Sequence, residues 1–214
     1  AGTTAAQNWT HATEMATGEY VKVLCQDDRL YPGAVEQQVA DLAAYPGACM
    51  AVAQRDVISA SGKVLFRERG LSGISQGLHS GADVLDAIYL GGTNVLGEPH
   101  VILFQKHELL DAMPWDGRRN YLLDLDTYTK VLDASATEVF IRKESIGAFR
   151  VSTSSWSTRL VTSQREHMAT WQREYESRSH PKLGSRIRAH LALHRQFLLR
   201  VAAYSWLSLK RDMD

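Results

Sequence analysis

Short apolar segments alternate with helical segments along the first two thirds of the chain, and this alternation constrains the fold more than any other feature. Residues 20–25 (YVKVLC), 49–53 (CMAVA) and 137–141 (TEVFI) are mostly apolar, which is typical of strands buried on both faces. Between the first two, Pro32 and Gly33 precede a helix whose apolar residues share one face. Strands that alternate with helices predict an α/β fold.

Two adjacent carboxylates end the first predicted strand. Asp27 and Asp28 follow YVKVLCQ directly, so a buried strand delivers both side chains at its C-terminal end. Adjacent carboxylates repel each other unless a cation compensates for them. Oxygen ligands suit Mg²⁺ or Mn²⁺. Asp is also common in turns and helix caps, so a turn without a metal is the alternative interpretation.

A second pair of carboxylates, Asp124 and Asp126, lies at the start of a helix predicted over residues 124–134. The dipole of a helix stabilises negative charge at this end, so N-capping alone would explain both residues. A carboxylate that faces a cleft can instead act as a general base. The sequence leaves these two interpretations open.

A third candidate is the loop of Gly97, Glu98 and Pro99, which precedes the strand predicted over 100–105. A loop with a solvated Glu would explain the same residues. The chain has no phosphate-binding Walker loop and no dinucleotide fingerprint. Residues 73–77 match the nucleophile elbow of hydrolases but lack the strand that must precede it. The carboxylates are therefore the strongest candidates for chemistry.

The charge distribution separates the C-terminal part from the rest. The chain has 24 basic and 24 acidic residues, yet residues 178–211 hold eight basic residues and no acidic one. Within 184–211, four apolar residues share a helical stripe: Ile187, Leu191, Leu198 and Val201. Such a helix could pack on the acidic body or on a partner subunit, or bind an anionic membrane surface. We expect no nucleic-acid partner, because the body is acidic and has no recognition motif.

The two cysteines, Cys25 and Cys49, are too few for a disulfide framework. No stretch approaches the roughly 20 apolar residues that span a bilayer. We therefore expect a cytoplasmic protein, which would be peripheral at the inner face of the plasma membrane if its C-terminal helix binds lipid.

Four segments, in this order, resemble family 2 glycosyltransferases of the GT-A fold, mainly bacterial enzymes of surface polysaccharide synthesis. Residues 16–33 (ATGEYVKVLCQDDRLYPG) resemble the segment around the family's Asp-x-Asp motif. Residues 91–99 (GGTNVLGEP) resemble its acceptor-side loop, and residues 122–126 (LLDLD) resemble its Glu-Asp-x-Asp segment. Residues 147–157 resemble the segment that closes the catalytic domain.

The resemblance implies an inverting transfer of a sugar from a nucleotide-sugar donor to a hydroxyl of a saccharide or lipid-linked saccharide. Asp124 would deprotonate the acceptor hydroxyl. Asp27 would hold a divalent cation, Mg²⁺ or Mn²⁺, on the donor diphosphate, and Asp28 would support the metal site or the donor. Asp126 would brace the helix start or the acceptor. The other substrate-binding candidates are Gly97, Glu98, Pro99, Arg150 and Trp156.

Three positions depart from the family pattern. Cys25 stands where many relatives have the first Asp of Asp-x-Asp, Leu123 where many have Glu before the base, and Ser152 where many have a His that can join the metal site. These departures favour a rival hypothesis, in which the chain is a non-catalytic, degenerate transferase domain that acts as a binding or assembly module.

The resemblance implies a GT-A-like mixed sheet flanked by helices. It divides the chain into a partial GT-A domain, residues 1–156, and a C-terminal helical extension, residues 157–214. In the family, a βαβ portion that holds the nucleotide base and ribose precedes the Asp-x-Asp strand. Only the end of that portion's last helix precedes Tyr20 here. We therefore expect the sequence to be part of a longer transferase, and a sheet without its leading strands to expose an edge.

Overall fold

The computed structural model describes residues 4–119, 121–134, 137–151 and 161–209, with side chains from 163 to 205 in the last range. Ser152 and Trp156 lie outside the described residues. Over the described ranges the chain forms a mixed seven-stranded sheet with helices packed against it. The predicted α/β class, with a mixed sheet flanked by helices, is confirmed at this level.

The helices of the described residues are α1 (Ala5–Met15), α2 (Ala34–Ala44), α3 (Gly81–Gly91), α4 (Lys106–Asp111), α5 (Leu123–Leu132), α6 (Val161–Ser179) and α7 (Leu183–Leu209), with a 3₁₀ turn at Pro99–Val101. The strands are β1 (Tyr20–Val21), β2 (Arg29–Leu30), β3 (Ala48–Ile58), β4 (Val64–Arg69), β5 (Gly77–Ser80), β6 (Ile102–Gln105) and β7 (Glu138–Arg150). Helices follow the strands along most of the chain, as the sequence pattern predicts.

The two longest strands, β3 and β7, form the centre of the sheet and run parallel. The free edge of β3 pairs with β6 near its start and with β4 near its end. The free edge of β7 pairs in the same way with β5 and then β2. These four pairings are antiparallel, and β1 adds an antiparallel strand to β6 at the margin. The resulting main order is β1-β6-β3-β7-β2.

The central strands are buried because they carry apolar side chains on both faces of the sheet. Residues 48–54 of β3 are all buried. On one face, Leu42 of α2 packs with Leu103 and Phe140. On the other face, a larger core includes Phe104, side chains of α3 and α5, and Trp171 of α6. The sheet is therefore covered on both sides, as its uninterrupted apolar strands require.

Helix α6 belongs to this larger core. The Trp171 indole N–H donates to Oγ1 of Thr129 on α5 (2.9 Å), and the Tyr89 hydroxyl of α3 donates to Glu176 (2.7 Å). The Gln172 amide donates to the carbonyls of Tyr89 and Ala189, both at 3.1 Å. Buried polar groups that are paired in this way fix α6 against α3, α5 and α7.

Helix α7 approaches the body most closely at Gly92, the residue after α3. A Cβ at Gly92 would lie 2.3 Å from the backbone nitrogen of Leu193, and its φ of +63° is left-handed. A larger residue here would push α7 away from α3. The face of α7 that packs inward includes Ala189 and Leu193, whereas Ile187 and Leu191 of the predicted stripe are exposed.

The first predicted strand is shorter than the sequence indicates. Residues 20–25 were expected to form it, but only Tyr20 and Val21 pair with β6. The Lys22 ammonium donates to the carbonyls of His100 (2.8 Å) and Ile102 (3.0 Å), so a side chain binds acceptors next to the point where pairing stops. The chain therefore leaves the sheet before it reaches Asp27.

Candidate active site

Asp124 lies half-buried in the first turn of α5, and both of its carboxylate oxygens accept hydrogen bonds. Oδ1 accepts from the backbone N–H of Leu125 (2.7 Å), and Oδ2 accepts from the side-chain amide of Asn94 (3.0 Å). Burial, together with the nearby negative charge of Glu98, raises the pKa of Asp124 to about 7. A carboxyl group with a pKa near neutrality can accept and release a proton at physiological pH.

Asn94 organises the loop that faces Asp124. Its Oδ1 accepts from the backbone N–H groups of Leu96 (3.1 Å) and Gly97 (3.2 Å), and its Nδ2 also donates to the carbonyl of Gly97 (3.0 Å). This is the local hydrogen bonding that Asn favours in turns. One side chain therefore fixes both the loop over 94–97 and the position of Asp124. Asn94 itself was not predicted as a site residue.

Glu98 extends the same loop and forms an ion pair with Arg55 of β3. The Arg55 Nη2 donates to Glu98 Oε1 (3.2 Å), and its Nε lies against Oε2. The guanidinium is held between two left-handed glycines, since a Cβ would come within 2.5 Å of Nη1 at Gly70 and within 2.7 Å at Gly97. Arg55 was not predicted, because its partner is 43 residues away along the chain.

Two further side chains share this electrostatic environment. Burial raises the pKa of the Cys25 thiol to about 12, and the charges of Asp28, Asp27, Asp124 and Glu98 act in the same direction. The Tyr128 hydroxyl is fully buried and has no hydrogen-bond partner among the described residues. Its pKa is raised by burial and by Asp124 and Glu98. Four of the predicted carboxylates, those of Asp27, Asp28, Glu98 and Asp124, therefore lie close enough to the Cys25 thiol to raise its pKa.

The two carboxylates of the Asp-Asp pair lie in different environments. Asp27 is exposed to solvent. Asp28 is buried, with one oxygen 3.0 Å from Nδ1 of His100 and the other accepting from the backbone N–H of Arg150 (3.2 Å). Asp28 thus fixes the loop after β1 to the 3₁₀ turn and to the end of β7.

Arg150 supports the same loop from its other side. Its guanidinium donates to the backbone carbonyls of Asp27 (3.0 Å), Ser59 (3.0 Å) and Ala60 (2.7 Å). These contacts set the position of the Asp27 backbone. Arg150 and Trp156 were both predicted to bind substrate, but Trp156 is outside the part of the chain that the structure describes.

Asp126 faces away from Asp124 and pairs with a cation. Arg119 donates to both of its oxygens, at 2.9 Å through Nε and 2.5 Å through Nη2. The same guanidinium donates to Glu174 on α6 (2.8 Å). Both Arg119 and Asp126 are largely buried. The network ties the first turn of α5 to the segment before it and to α6.

The fit of the site to a divalent cation depends on Asp27. No group of three or more His, Cys, Asp or Glu side chains among the described residues could hold a metal ion. Asp28 is already engaged by His100. Mg²⁺ often needs only one or two carboxylates when substrate phosphates and water complete its coordination. This loop therefore offers one exposed carboxylate, which would suit only a cation that arrives with a diphosphate and not one that needs a preformed protein cage.

Helix α7 contacts the loop that carries Asn94 and Glu98. The Arg200 guanidinium donates to the hydroxyl of Thr93 and to Gln164 on α6 (2.9 Å), and it lies over the ring of Tyr121 with its carbon 5.7 Å from the centroid. Burial raises the pKa of Tyr121, and the charges of Asp124 and Glu98 act in the same direction because both carboxylates are nearby. The C-terminal helix is therefore joined to the site by Arg200.

No family model matches the chain, and no curated protein matches it. Among the described residues, no helix combines the length and apolar content needed to cross a membrane.

Proposed function

We propose that the chain is the catalytic part of a family 2 glycosyltransferase with a GT-A-like fold. It would transfer a hexosyl or deoxyhexosyl group, with inversion, from a nucleotide-sugar donor to a hydroxyl of a saccharide or lipid-linked saccharide. The product would be a cell-surface polysaccharide or its precursor. The proposal starts from the resemblance of four sequence segments, three of which supply side chains or backbone to the region around Asp124.

The observation that carries the proposal is the state of Asp124. It is half-buried, Asn94 fixes its orientation, and its pKa is raised to about 7. A carboxyl group with a role in folding alone gains nothing from such a pKa, whereas a general base needs one close to the working pH.

In the proposed reaction, Asp124 removes the proton of the acceptor hydroxyl as that oxygen attacks the anomeric carbon of the donor sugar. The bond from the anomeric carbon to the diphosphate oxygen breaks, and a nucleoside diphosphate leaves. Asn94 keeps Asp124 in the orientation that receives the proton. Arg55 holds Glu98 in place beside the loop, and the Glu98 carboxylate is one of the groups that raise the pKa of Asp124.

A divalent cation, Mg²⁺ or Mn²⁺, would neutralise the charge that develops on the leaving diphosphate. Asp27 is the exposed carboxylate that would hold it, and Arg150 and Asp28 would act by fixing the loop on which Asp27 lies. In this form of the proposal, Asp28 supports the metal site through the backbone and not as a ligand.

A second candidate function is a non-catalytic binding module derived from such a transferase. The specific observation in its favour is the pairing of Asp28 with His100, which leaves one exposed carboxylate next to Cys25 where the family motif has two acids. A module of this kind would bind a sugar nucleotide or a protein partner without turning over the donor.

The two candidates are separated by incubating the protein with a panel of nucleotide sugars and saccharide or lipid-linked acceptors, with Mg²⁺, with Mn²⁺ and with EDTA. Mass spectrometry then detects a glycosylated product, and a coupled assay detects the released nucleoside diphosphate. We expect cation-dependent release with at least one donor. Saturable donor binding by calorimetry without any turnover would favour the binding module, and neither binding nor release would contradict both candidates.

A further inference from the structure

Helix α7 has a second, outward face that the body does not cover. Five aliphatic side chains on this face are exposed, with Leu183 at 71%, Ile187 at 53%, Leu191 at 65%, Leu198 at 60% and Val201 at 39% of their full accessibility. Spacings of three, four and seven residues place them along one stripe of the helix. Single exposed aliphatic residues are ordinary on a protein surface, but five along one side of a helix are typical of an interaction surface.

The charges that border this stripe are positive. The sequence of α7 has no Asp or Glu between Leu183 and Leu209. Arg188 and Arg195 are exposed on one side of the stripe. On the other side, His190 and Arg186 face α6, where both pair with Glu176 at 2.9 Å and 3.2 Å.

Other charged groups of α6 also face α7. The Arg165 guanidinium lies 3.3 Å from Nδ1 of His194 and also packs on the ring of Phe197. Glu166 is exposed on α6. Basic residues therefore predominate around the stripe, and the nearest carboxylate, Glu176, is already neutralised by its partners.

We propose that this outward face of α7 docks on an anionic lipid bilayer, with the helix lying in the plane of the interface. Aliphatic side chains would enter the boundary between head groups and acyl chains, and Arg188 and Arg195 would bind the lipid phosphates. A stripe of five aliphatic side chains has no role in binding a nucleic acid.

A second copy of the chain is a poorer occupant of the same face. In a symmetric dimer the same patch meets itself, so Arg188 and Arg195 of the two copies would be brought together. No acid on α7 could compensate for them. An anionic bilayer supplies the missing negative charge.

The opposite face of α7 carries Arg200, which is bound to Thr93 in the loop over 91–98. A docked helix would therefore hold the candidate active site at a fixed distance from the bilayer. This surface does not depend on the reaction proposed above, and it would bring any active site of this body to membrane-bound substrates.

The proposal is tested by co-sedimentation of the purified chain with vesicles of two compositions. One contains phosphatidylcholine alone, and the other contains phosphatidylcholine and phosphatidylglycerol in equal parts. We expect binding to the anionic vesicles that weakens as salt is added, and little binding to the neutral ones. The double variant Ile187→Ser/Leu191→Ser should lose about tenfold or more of the partition coefficient. The double variant Arg188→Gln/Arg195→Gln should lose on the order of tenfold.

Matched controls keep these results specific. Val35 is an exposed aliphatic residue on α2 and Arg173 an exposed arginine on α6, so Val35→Ser and Arg173→Gln should bind vesicles as the unchanged chain does. Thermal unfolding checks that each variant is folded.

Three outcomes would overturn the proposal. They are an absence of sedimentation with anionic vesicles, equal losses in the stripe and control variants, and a concentration-dependent dimer that Leu191→Ser disrupts while no variant changes sedimentation. The last would assign the face to a second copy. None of these outcomes affects the turnover assay. Failure of membrane docking is therefore distinguishable from failure of the proposed function.

Discussion

Two carboxylates that are two residues apart on α5 have opposite surroundings. Asp124 faces the loop over 91–98 and accepts hydrogen bonds from two neutral donors among the described residues, the Asn94 amide and the Leu125 N–H. Asp126 faces α6 and is bound at both oxygens by Arg119. Burial raises the pKa of both groups, but only at Asp126 does a guanidinium oppose it.

This difference separates a group that is suited to chemistry from one that is suited to structure. A buried carboxylate that is paired with a cationic side chain stabilises the fold as part of that pair. Breaking the pair leaves an uncompensated buried charge and destabilises the folded state. A buried carboxylate without a cation destabilises the folded state when it is charged, which is a cost that a functional site can justify. The two sides of one helix turn can therefore be tested against each other.

The largest effect should come from Asp124→Asn. If Asp124 is the general base, this change should lower kcat by about 10³-fold, because an amide cannot take the acceptor proton. The free energy of unfolding should change by less than about 1 kcal/mol, since the neutral amide loses one hydrogen bond but also removes a desolvated charge. Transfer rates and urea unfolding at pH 8 measure the two quantities.

Asp111→Asn is the matched control for this change, because Asp111 is an exposed carboxylate at the end of α4. Its activity should equal that of the unchanged chain. Full activity in Asp124→Asn would contradict the assignment of the base.

The second effect concerns stability on the other side of the helix. Asp126→Asn leaves the largely buried Arg119 without its main partner, and the free energy of unfolding should fall by about 3 kcal/mol. Glu174→Gln removes the more exposed partner of the same guanidinium and should cost under about 1 kcal/mol. Equal losses in the two variants, measured by urea unfolding, would show that burial does not distinguish the two ion pairs.

The third effect tests whether Asn94 acts through Asp124. Asn94→Asp keeps Oδ1 as an acceptor for the N–H groups of Leu96 and Gly97, but it replaces the amide donor with a negative charge. The pKa of Asp124 should rise above 7, and the rising limb of kcat/KM against pH should move to higher pH. At pH 7 the rate should fall by about tenfold. An unchanged pH profile with a lower rate would assign Asn94 to the loop alone.

The fold class could be predicted from the sequence because it depends on local patterns. The apolar segments at 49–53 and 137–141 are the starts of β3 and β7, and Ser80 caps α3 by accepting from the N–H of Asp83. The lengths of the strands could not be predicted. β7 continues to Arg150 because β3 runs beside it along its whole length, and only the pairing partner determines that.

The site was predicted in part, for the same reason. Carboxylates that follow apolar segments or begin helices are visible in the sequence, so Asp27 and Asp124 could be named as candidates. Their partners were not, because the contacts join residues far apart: Asn94 to Asp124, Arg55 to Glu98, and His100 to Asp28. The predicted stripe of α7 was identified correctly, but hydrophobic spacing alone does not indicate which face packs inward. Gly92 and Leu193 determine that.

The smallest effect is a dependence of stability on pH that comes from Asp124. Its pKa is about 7 in the folded chain and about 4 when unfolded, so between these values the folded state binds more protons. The stability that this group contributes is therefore present near pH 4 and is lost as the pH rises towards 7. Because the side chain is only half-buried, we expect a change of about 1 kcal/mol. Urea unfolding midpoints at intervals across this range should fall more steeply for the unchanged chain than for Asp124→Asn. Asp126→Asn should keep the steeper slope, and parallel curves for the unchanged chain and Asp124→Asn would show that burial does not perturb Asp124.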